Sequence, residues 1–335
     1  MKKQFAGTIQ AGEPVDDLFV LAEKTILQKK DGNNYLNLVF SDKTGQVKGI
    51  LWDQVERIAA AVKTGDVVHV KATTGEYKGM LQLVVKDLVP VASESLDLSD
   101  FIPATARDVD VMFERIVSLT DTFSRPCLKA LFQAFWNDEA FVKRFRAAPA
   151  AKKMHHAYLG GLLEHTLSMA ILADKISGHY SGVDRDMLLA GALLHDIGKT
   201  REFCYDVMID YSDEGRLLNH IPIGIQLLEE KIQTLVDFPE ETSLLLKHML
   251  VSHHGSRELG SPEPPKTIEA VLLNYIDEID SKVQGIREFM GRETSEEAWT
   301  AYHRLLARHF YRGKRLPADA DEEETKGSHG DVYHI

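Results

Sequence analysis

The first ninety residues alternate apolar and polar positions with a period of two, which is typical of half-buried strands. Leu36, Leu38 and Phe40 alternate with Tyr35, Asn37 and Val39, and SDKTGQ then predicts a turn before a second strand in VKGILW. The stretch 65–91 predicts two more strands around a Thr–Gly–Glu turn, and QVERIAAAVK predicts a short helix between strands. We therefore expect a small closed β-barrel over residues 1–90.

Helical spacing dominates the rest of the chain. Residues 91–106 contain serines, acids and a proline without periodicity, which predicts a linker. Over residues 107–311, apolar residues recur at three- and four-residue steps, as in GLLEHTLSMAILADKI, and almost the whole segment is expected to be helical. Residues 312–335 are polar and predict a frayed tail. The expected fold is multidomain, with a β-barrel followed by an all-α helical bundle.

Composition favours a soluble protein of the cytoplasm. The chain is 44% hydrophobic and 27% charged, and no apolar run approaches the length of a membrane span. The first residues lack the apolar stretch of a secretory signal. Cys127 and Cys204 are the only cysteines, which argues against a disulfide framework or a cysteine zinc site. We expect a cytoplasmic location and no membrane partner.

The charge distribution keeps nucleic acid open as a partner despite the net charge of −12. Residues 1–90 have a net charge of +1, and the acidity lies in the remainder of the chain. Short strands with one helix fit the OB type of barrel, which often binds oligonucleotides. Its aromatic residues are candidates for stacking on bases, with a place in the core as the alternative for each of them: Phe19, Tyr35, Trp52 and Tyr77.

The apolar helical run GALLHDIGKT ends in an imidazole and a carboxylate, His195 and Asp196. Its last letters resemble a phosphate-binding loop, but Leu193 stands where that loop needs glycine. Asp196 shares a face with Leu193 and other apolar residues, and a buried carboxylate is costly unless it is paired or bound to metal. Lys199 is compatible with two roles, as the partner of Asp196 or as a contact to a substrate phosphate.

Three more histidine segments place imidazoles where the pattern predicts the interior. His165 lies on the apolar stripe of its helix, where a lone histidine is more often simply hydrogen-bonded than a ligand. His220 stands just before a helix and fits either a cap or a ligand. His253 and His254 are neighbours, so both can point inward only at a helix end or distortion, with His248 as a competitor.

An acidic pair follows in LLNYIDEIDSKVQGI. Asp277 shares the stripe of Ala270 and Leu273, and Asp280 lies one turn further on. Pairing with Lys282, or exposure to solvent, remains an alternative for both acids. Together with the segments above, the helical domain offers seven candidate ligands: His165, His195, Asp196, His220, His253, His254 and Asp277. Imidazole and carboxylate suit Zn, Mn, Fe, Co or Ni, and seven ligands suit two metals that share a carboxylate.

The order H…HD…H…HH…D resembles the HD-domain metal-dependent phosphohydrolases, and LLHDIGK is similar to their central motif. The resemblance implies one metal on His165, His195, Asp196 and Asp277. It implies a second on His220, His253 and His254, with Asp196 as the bridge. FRAAPAAKKMHHAYLGGLLEHTLSMA and GALLHDIGKTREF, behind an OB-like segment, further resemble the YhaM-type 3′→5′ exoribonucleases, which implies two divalent ions, Mn²⁺ or Co²⁺ above all.

The resemblance implies a phosphodiesterase, a 3′→5′ exoribonuclease on single-stranded RNA and to some degree DNA. Asp196 and Lys199 would serve catalysis by a hydroxide activated between two metals. Water, His155 or His156 would supply the leaving-group proton. One alternative is an HD-domain nucleotidase or cyclic-dinucleotide phosphodiesterase, against which the barrel argues. Another is a non-catalytic nucleic-acid-binding protein. A homo-oligomer is compatible with the sequence.

Overall fold

A closed β-barrel followed by a helical domain confirms the expected fold class. The structure is a computed structural model that describes residues 2–77, 79–92, 96, 98–152, 155–292 and 297–313. Most of the expected polar tail, from residue 314 onward, lies outside the described residues, as do parts of the expected linker. Within the described part of the chain, no helix is both long enough and apolar enough to cross a bilayer.

Five strands close the barrel in the order β1-β2-β3-β5-β4. They are β1 (Pro14–Gln28), β2 (Asn34–Asp42), β3 (Gly45–Leu51), β4 (Val67–Tyr77) and β5 (Met80–Pro90), and helix α1 (Val55–Ala61) lies between β3 and β4. Strand β1 is long enough to pair with both β2 and β4, and the parallel β3–β5 pair completes the closure.

The β4–β5 connection lies further along the chain than the sequence predicts. Gly75 pairs with Gln82 inside the ladder, so the predicted Thr–Gly–Glu turn is wrong. The strands instead connect between Tyr77 and Met80, where Gly79 has a φ of 74°. Glycine populates that left-handed region readily, and this allows the tight turn there.

The barrel core follows the period-two pattern. Leu36, Leu38 and Phe40 of β2 are fully buried, as their alternation predicts. A Cβ on Gly49 of β3 would lie 2.5 Å from the Phe40 ring, so only glycine leaves room for that ring inside the barrel.

Ten helices form the second part of the described chain. They are α2 (Val109–Asp121), α3 (Pro126–Trp136), α4 (Glu139–Ala147), α5 (Gly161–Ser177), α6 (Arg185–Leu194), α7 (Lys199–Glu202), α8 (Asp213–Leu218), α9 (His220–Ile232), α10 (Glu240–Ser252) and α11 (Ile268–Arg292). Asp108, Asp138 and Asp184 cap α2, α4 and α6 by accepting hydrogen bonds from backbone N–H groups of the first turn. These caps fix where each helix begins.

Helices α5 and α6 form the centre of the helical domain. Every residue of α6 after Arg185 is buried, and α5 packs directly along it. Helices α2, α10 and α11 cover the pair from outside. A polar side chain on the inner faces of these helices therefore lies away from solvent and needs a partner.

Two segments of the expected all-helical region are not helical. Strands β6 (Phe203–Cys204) and β7 (Asp210–Tyr211) form a short hairpin. Residues 297–313 form antiparallel bridges instead of a helix. An aromatic pair joins the two sides of each segment, Phe203 with Tyr211 and Trp299 with Tyr311, a strand preference that the helical periodicity concealed.

The β6–β7 hairpin also contacts the barrel. Val207 and Met208, between the two strands, pack against an apolar cluster of Val20, Val67 and Phe101. Val20 and Val67 belong to β1 and β4, so the hairpin lies against the outside of the barrel wall.

Candidate metal centre

Asp196 lies immediately beyond the buried helix α6, in the turn that leads to α7. His195 caps α6, and both side chains are buried. The next turn approaches α9 so closely that a Cβ on Gly198 would lie 1.9 Å from the carbonyl oxygen of His220. Glycine at this position therefore lets the start of α9 reach Asp196.

His220 and His253 reach Asp196 from two other helices. His220 is the first residue of α9, where Asn219 caps the helix by accepting a hydrogen bond from the Ile221 N–H. His253 directly follows the last residue of α10, which confirms the helix end that the histidine pair predicts. Both imidazoles are buried.

The two carboxylate oxygens of Asp196 face different groups of imidazoles. Oδ2 lies 3.3 Å from Nε2 of His195 and 3.6 Å from Nε2 of His165. Oδ1 lies 3.5 Å from Nε2 of His220 and 3.7 Å from Nε2 of His253. Asp196 therefore stands between two clusters, each built from a separate pair of helices.

Each cluster is completed by one more predicted residue. Asp277 of α11 places Oδ1 3.5 Å from Nε2 of His165, and the two share a cluster with His195. His254 joins His220 and His253 in the other cluster. The structure thus brings together all seven predicted ligands: His165, His195, Asp196, His220, His253, His254 and Asp277.

The separations between donor atoms suit divalent cations. Ligands at about 2.1 Å from a cation lie about 3.0–3.4 Å apart in octahedral or tetrahedral coordination. Nε2 of His165 and His195 are 3.2 Å apart, and those of His220 and His253 are 3.4 Å apart. Asp196 Oδ1 is buried without a hydrogen-bond partner. A buried carboxylate oxygen is costly in that state, and a cation beside it would remove the cost.

Hydrogen bonds to the second ring nitrogens orient the imidazoles. Nδ1 of His195 donates to the carbonyl of Ala192 at 2.9 Å, and Nδ1 of His253 donates to that of Leu250 at 2.8 Å. Since Nδ1 carries the hydrogen in both rings, Nε2 keeps its lone pair toward Asp196. This is the tautomer that metal-binding histidines adopt.

Carboxylates orient two more imidazoles, those of His165 and His220, and the sequence alone did not assign this role to either carboxylate. Asp280 Oδ2 lies 2.8 Å from Nδ1 of His165 and also accepts from Ser168 through its second oxygen. Glu202 Oε1 accepts from the backbone N–H of His220 at 3.0 Å and lies 3.3 Å from Nδ1 of that ring. Asp280 was visible as an acid one turn beyond Asp277, whereas no sequence signal pointed to Glu202.

The electrostatics favour ligation at neutral pH. Burial alone would raise the pKa of Asp196, but Lys199 and the surrounding imidazoles hold it well below its usual range. Burial, with His254 close by, holds the pKa of His253 well below its usual value, and burial with His220 also lowers the pKa of His254. The ionised carboxylate and neutral imidazoles are the protonation states that metal binding requires.

The pKa values of His195 and His155 are shifted in opposite directions. Burial would lower the pKa of His195, but the Asp196 carboxylate outweighs it and raises the pKa. A cation would therefore compete with a proton at His195. Burial lowers the pKa of His155 to about 4, aided by His165 and Lys199, so His155 is neutral at pH 7 and is a poor proton donor for a leaving group.

Lys199 pairs directly with the carboxylate of Asp196. Its Nζ lies 2.6 Å from Asp196 Oδ2, while its side chain remains 15% exposed. Asp196 raises the pKa of the ammonium against the effect of burial. Of the two roles compatible with the sequence, the structure places Lys199 in the ion pair, and contact with a substrate phosphate stays a prediction.

The four aromatic candidates of the barrel differ in their exposure to solvent. Trp52 is exposed, its ring centroid lies 5.0 Å from that of Tyr35, and Lys29 Nζ lies 4.6 Å above it. Tyr77 is exposed near the β4–β5 connection. Phe19, however, is completely buried against Phe40 in the barrel core, so the expectation that it stacks on bases is wrong.

Both parts of the chain match known families. Residues 162–282 match the HD domain, and residues 20–91 match the OB-fold nucleic acid binding domain of the anticodon-binding type. The chain therefore contains an HD domain preceded by an OB-fold domain. The HD match includes all seven residues of the candidate metal centre.

Several solved structures share partial similarity with the chain. The second OB-fold domain of replication protein A from Methanococcus maripaludis is 21% identical, covers 27% of this chain and 95% of its own, and has a TM-score of 0.22. The mitochondrial single-stranded DNA binding protein Rim1 from S. cerevisiae is 19% identical and has a TM-score of 0.22. The match covers 24% of this chain and 96% of Rim1. PriB from Ralstonia solanacearum is 10% identical and has a TM-score of 0.22, and the match covers 24% of this chain and 97% of PriB.

Proposed function

We propose that this protein is a metal-dependent phosphodiesterase that shortens single-stranded RNA, and to some degree DNA, from the 3′ end. The observation that carries the proposal is the position of Asp196, whose two oxygens face two separate imidazole clusters. The HD domain supports a phosphohydrolase, and the OB-fold domain supports a nucleic-acid substrate. The 3′→5′ direction follows from the resemblance to the YhaM-type exoribonucleases.

The residues of the centre fit two divalent ions, Mn²⁺ or Co²⁺ by resemblance, with Fe, Ni or Zn as further candidates. His165, His195 and Asp277 would hold one ion, and the cluster of His220, His253 and His254 would hold the other. When bound, the ions would lower the pKa of a water molecule and balance the charge of the phosphoryl group.

The protein residues would supply geometry and charge. Asp196 would hold both clusters at a fixed separation because it contacts each through a different oxygen. Lys199, beside it, would add positive charge where the phosphoryl oxygens become more negative. Hydrogen bonds that Asp280 and Glu202 accept from Nδ1 of His165 and His220 would keep the two rings in place during turnover.

The barrel would hold the strand away from the reacting end. Trp52 and Tyr35 offer adjacent rings for stacking, and Lys29 adds a positive charge to the same surface. Replacement of Trp52 by alanine should weaken binding of single-stranded RNA by about tenfold, at the lower end of measured base-stacking contributions. Tyr180→Ala, an exposed ring on the helical domain, is the matched control.

Labelled RNA tests the proposal directly. With Mn²⁺, 5′-labelled RNA should give a ladder that shortens in steps, whereas 3′-labelled RNA should release the label at once. A chelator or Asp196→Ala should stop both reactions, while Asp121→Ala, at the exposed end of α2, should not.

Two experimental outcomes would contradict the proposal and favour a different function. Hydrolysis of free nucleotides or cyclic dinucleotides with intact RNA would favour the small-molecule phosphohydrolase. Binding of RNA by a protein that holds no metal and hydrolyses nothing would favour the non-catalytic alternative.

A further inference from the structure

A small hairpin follows the long helix α11 and lies outside both matched families. Residues 297–313, here called the C-terminal hairpin, are joined by antiparallel bridges between Trp299 and Tyr311 and between His303 and Arg308. Its backbone is further held by hydrogen bonds from Thr300 N–H to Phe310 O at 2.9 Å and from Arg312 N–H to Ala298 O at 2.7 Å. The hairpin is therefore an ordered element.

The inner side of the hairpin is anchored on α11. His303 lies 4.6 Å from the ring of Phe289, and Phe310 lies 6.4 Å from it, measured between ring centroids. Both side chains are partly buried. These contacts account for two of the aromatic rings of the hairpin as packing.

The outer side carries rings that no packing explains. Trp299 and Tyr311 form a pair with centroids 5.0 Å apart, and Tyr302 and His309 form another at 5.3 Å. Trp299, Tyr302 and Tyr311 are 54%, 52% and 60% exposed. Exposure of large rings to water is unfavourable for a folded protein. This group of exposed rings therefore indicates a binding surface.

The charge of the hairpin favours an anionic partner. Residues 297–313 contain three arginines and one glutamate, in a chain whose net charge is −12. Arg304 and Arg308 are exposed at the turn of the hairpin. Aromatic rings interleaved with cations are the combination that binds single strands, since rings stack on bases and cations contact phosphates.

The hairpin is connected to the metal centre through α11. Phe289, its anchor, lies nine residues beyond Asp280, about 14 Å along the helix axis. Next to it, Glu288 accepts a hydrogen bond from the backbone N–H of His156 at 3.1 Å, and Nε2 of His156 lies 3.4 Å from Asp280. A strand on the hairpin would therefore lie at one end of the helix that supplies Asp277.

We propose that the C-terminal hairpin is a second binding surface for single-stranded nucleic acid, separate from the barrel. Trp299, Tyr302 and Tyr311 stack on bases, and Arg304 and Arg308 contact phosphates. This inference rests on the proposed function, because the bound strand is the one that the metal centre would cleave.

Salt-dependent binding tests the inference in the full-length protein. The probe is a fluorescein-labelled 20-nucleotide poly(U) RNA, followed by anisotropy with a chelator present so that no hydrolysis occurs. Arg304→Ala with Arg308→Ala should weaken binding and reduce the slope of log K against log salt by about 1.4, since each phosphate contact contributes about 0.7. Arg115→Ala with Lys129→Ala, exposed on α2 and α3, removes the same charge and should leave the slope unchanged.

Replacement of the exposed rings distinguishes a loss of base stacking from a loss of hairpin structure. Trp299→Ala with Tyr311→Ala should lower the affinity about tenfold. Trp299→Phe with Tyr311→Phe keeps flat rings and should restore most of it. Wild-type affinity and slope in every hairpin variant would overturn the inference while the proposed function stands.

Two other results would also overturn the inference. If the variants change the molecular mass in light scattering but not RNA affinity, the hairpin is a protein interface. If the unmodified protein binds no RNA, the inference and the proposed function fail together.

Discussion

Oδ2 of Asp280 lies 2.8 Å from Nδ1 of His165, and this contact determines which ring nitrogen faces Asp196. Asp280→Asn would offer an amide in place of the carboxylate and weaken the hold on the ring. We expect metal affinity to fall about 10–100-fold, the usual effect of losing such a support. A metal titration against a competing chelator measures the change.

Glu278→Gln provides the matched control for Asp280. Glu278 lies on the same helix, pairs with Lys282 and is partly exposed. Its replacement should leave metal affinity unchanged. Equal affinities of the Asp280 variant and the control would show that His165 needs no carboxylate support.

Removal of bound metal should destabilise the helical domain. The donor atoms come from α5, α9 and α11 and from the ends of α6 and α10, so a cation binds the folded chain much better than the unfolded one. At a free concentration one hundred times Kd, such binding contributes about 2.7 kcal/mol per site. Thermal unfolding with Mn²⁺ and with a chelator should show a lower Tm after chelation.

Asp196→Ala should respond differently to the same treatment. Because the bridging carboxylate is gone, Mn²⁺ and the chelator should give nearly the same Tm. A chelator-sensitive Tm in this variant would place the stabilising ion elsewhere.

Gly198→Ala should disturb the centre without touching a ligand. The new Cβ would lie 1.9 Å from the carbonyl oxygen of His220, so α9 must move. We expect a loss of about 1–3 kcal/mol in the free energy of unfolding, together with weaker metal binding. Urea denaturation and metal titration measure the two effects.

Gly285→Ala on α11 is the control for that substitution. A Cβ there meets no atom within 4 Å. Since alanine favours a helix more than glycine does, this variant should be stabilised by up to about 1 kcal/mol. If the two alanine variants have the same stability and the same metal affinity, the close approach of His220 to Gly198 does not make alanine unfavourable there.

Stability should depend on pH through Asp138. Lys231 donates to this carboxylate at 2.6 Å and Phe141 N–H at 3.0 Å, and the two bonds lower the pKa of Asp138. A carboxylate with a lowered pKa stabilises the folded state at pH values above its pKa in the unfolded chain, which is about 3.9. This contribution is lost as the pH falls through the pKa that Asp138 has in the folded state.

The expected change with Asp138→Asn is small. The variant should be less stable than the unmodified protein by about 0.5–1 kcal/mol near pH 7, and the gap should narrow below about pH 4. Urea denaturation over a pH series measures the gap. A gap that stays constant down to pH 2.5 would mean that the charge of Asp138 contributes nothing.

Much of the candidate metal centre follows from local sequence. The apolar stripe around His165 places it inside because a helix repeats every 3.6 residues. The adjacent His253 and His254 require a helix end, and α10 ends there. These inferences need only the geometry of one element.

The remaining features depend on how elements pack, which local patterns do not encode. Glu202 supports His220 only because the turn at Gly198 brings α7 against α9. Phe19 belongs to the apolar run LFVLA, in which alternation does not show which residues point inward, and it lies inside because a closed barrel has an interior that must be filled. The Trp299–Tyr311 pair likewise arises from a hairpin that helical spacing concealed.

The contact of Met208 with the barrel affects how separable the two domains are. The β6–β7 hairpin begins at Phe203, directly after the glutamate that holds His220. The β6–β7 loop thus contacts the barrel and begins directly after the residue that supports His220, one of the candidate metal ligands. An engineer who exchanged the barrel for another domain would have to rebuild the apolar contacts of this loop, because Val207 and Met208 would otherwise lose their partners.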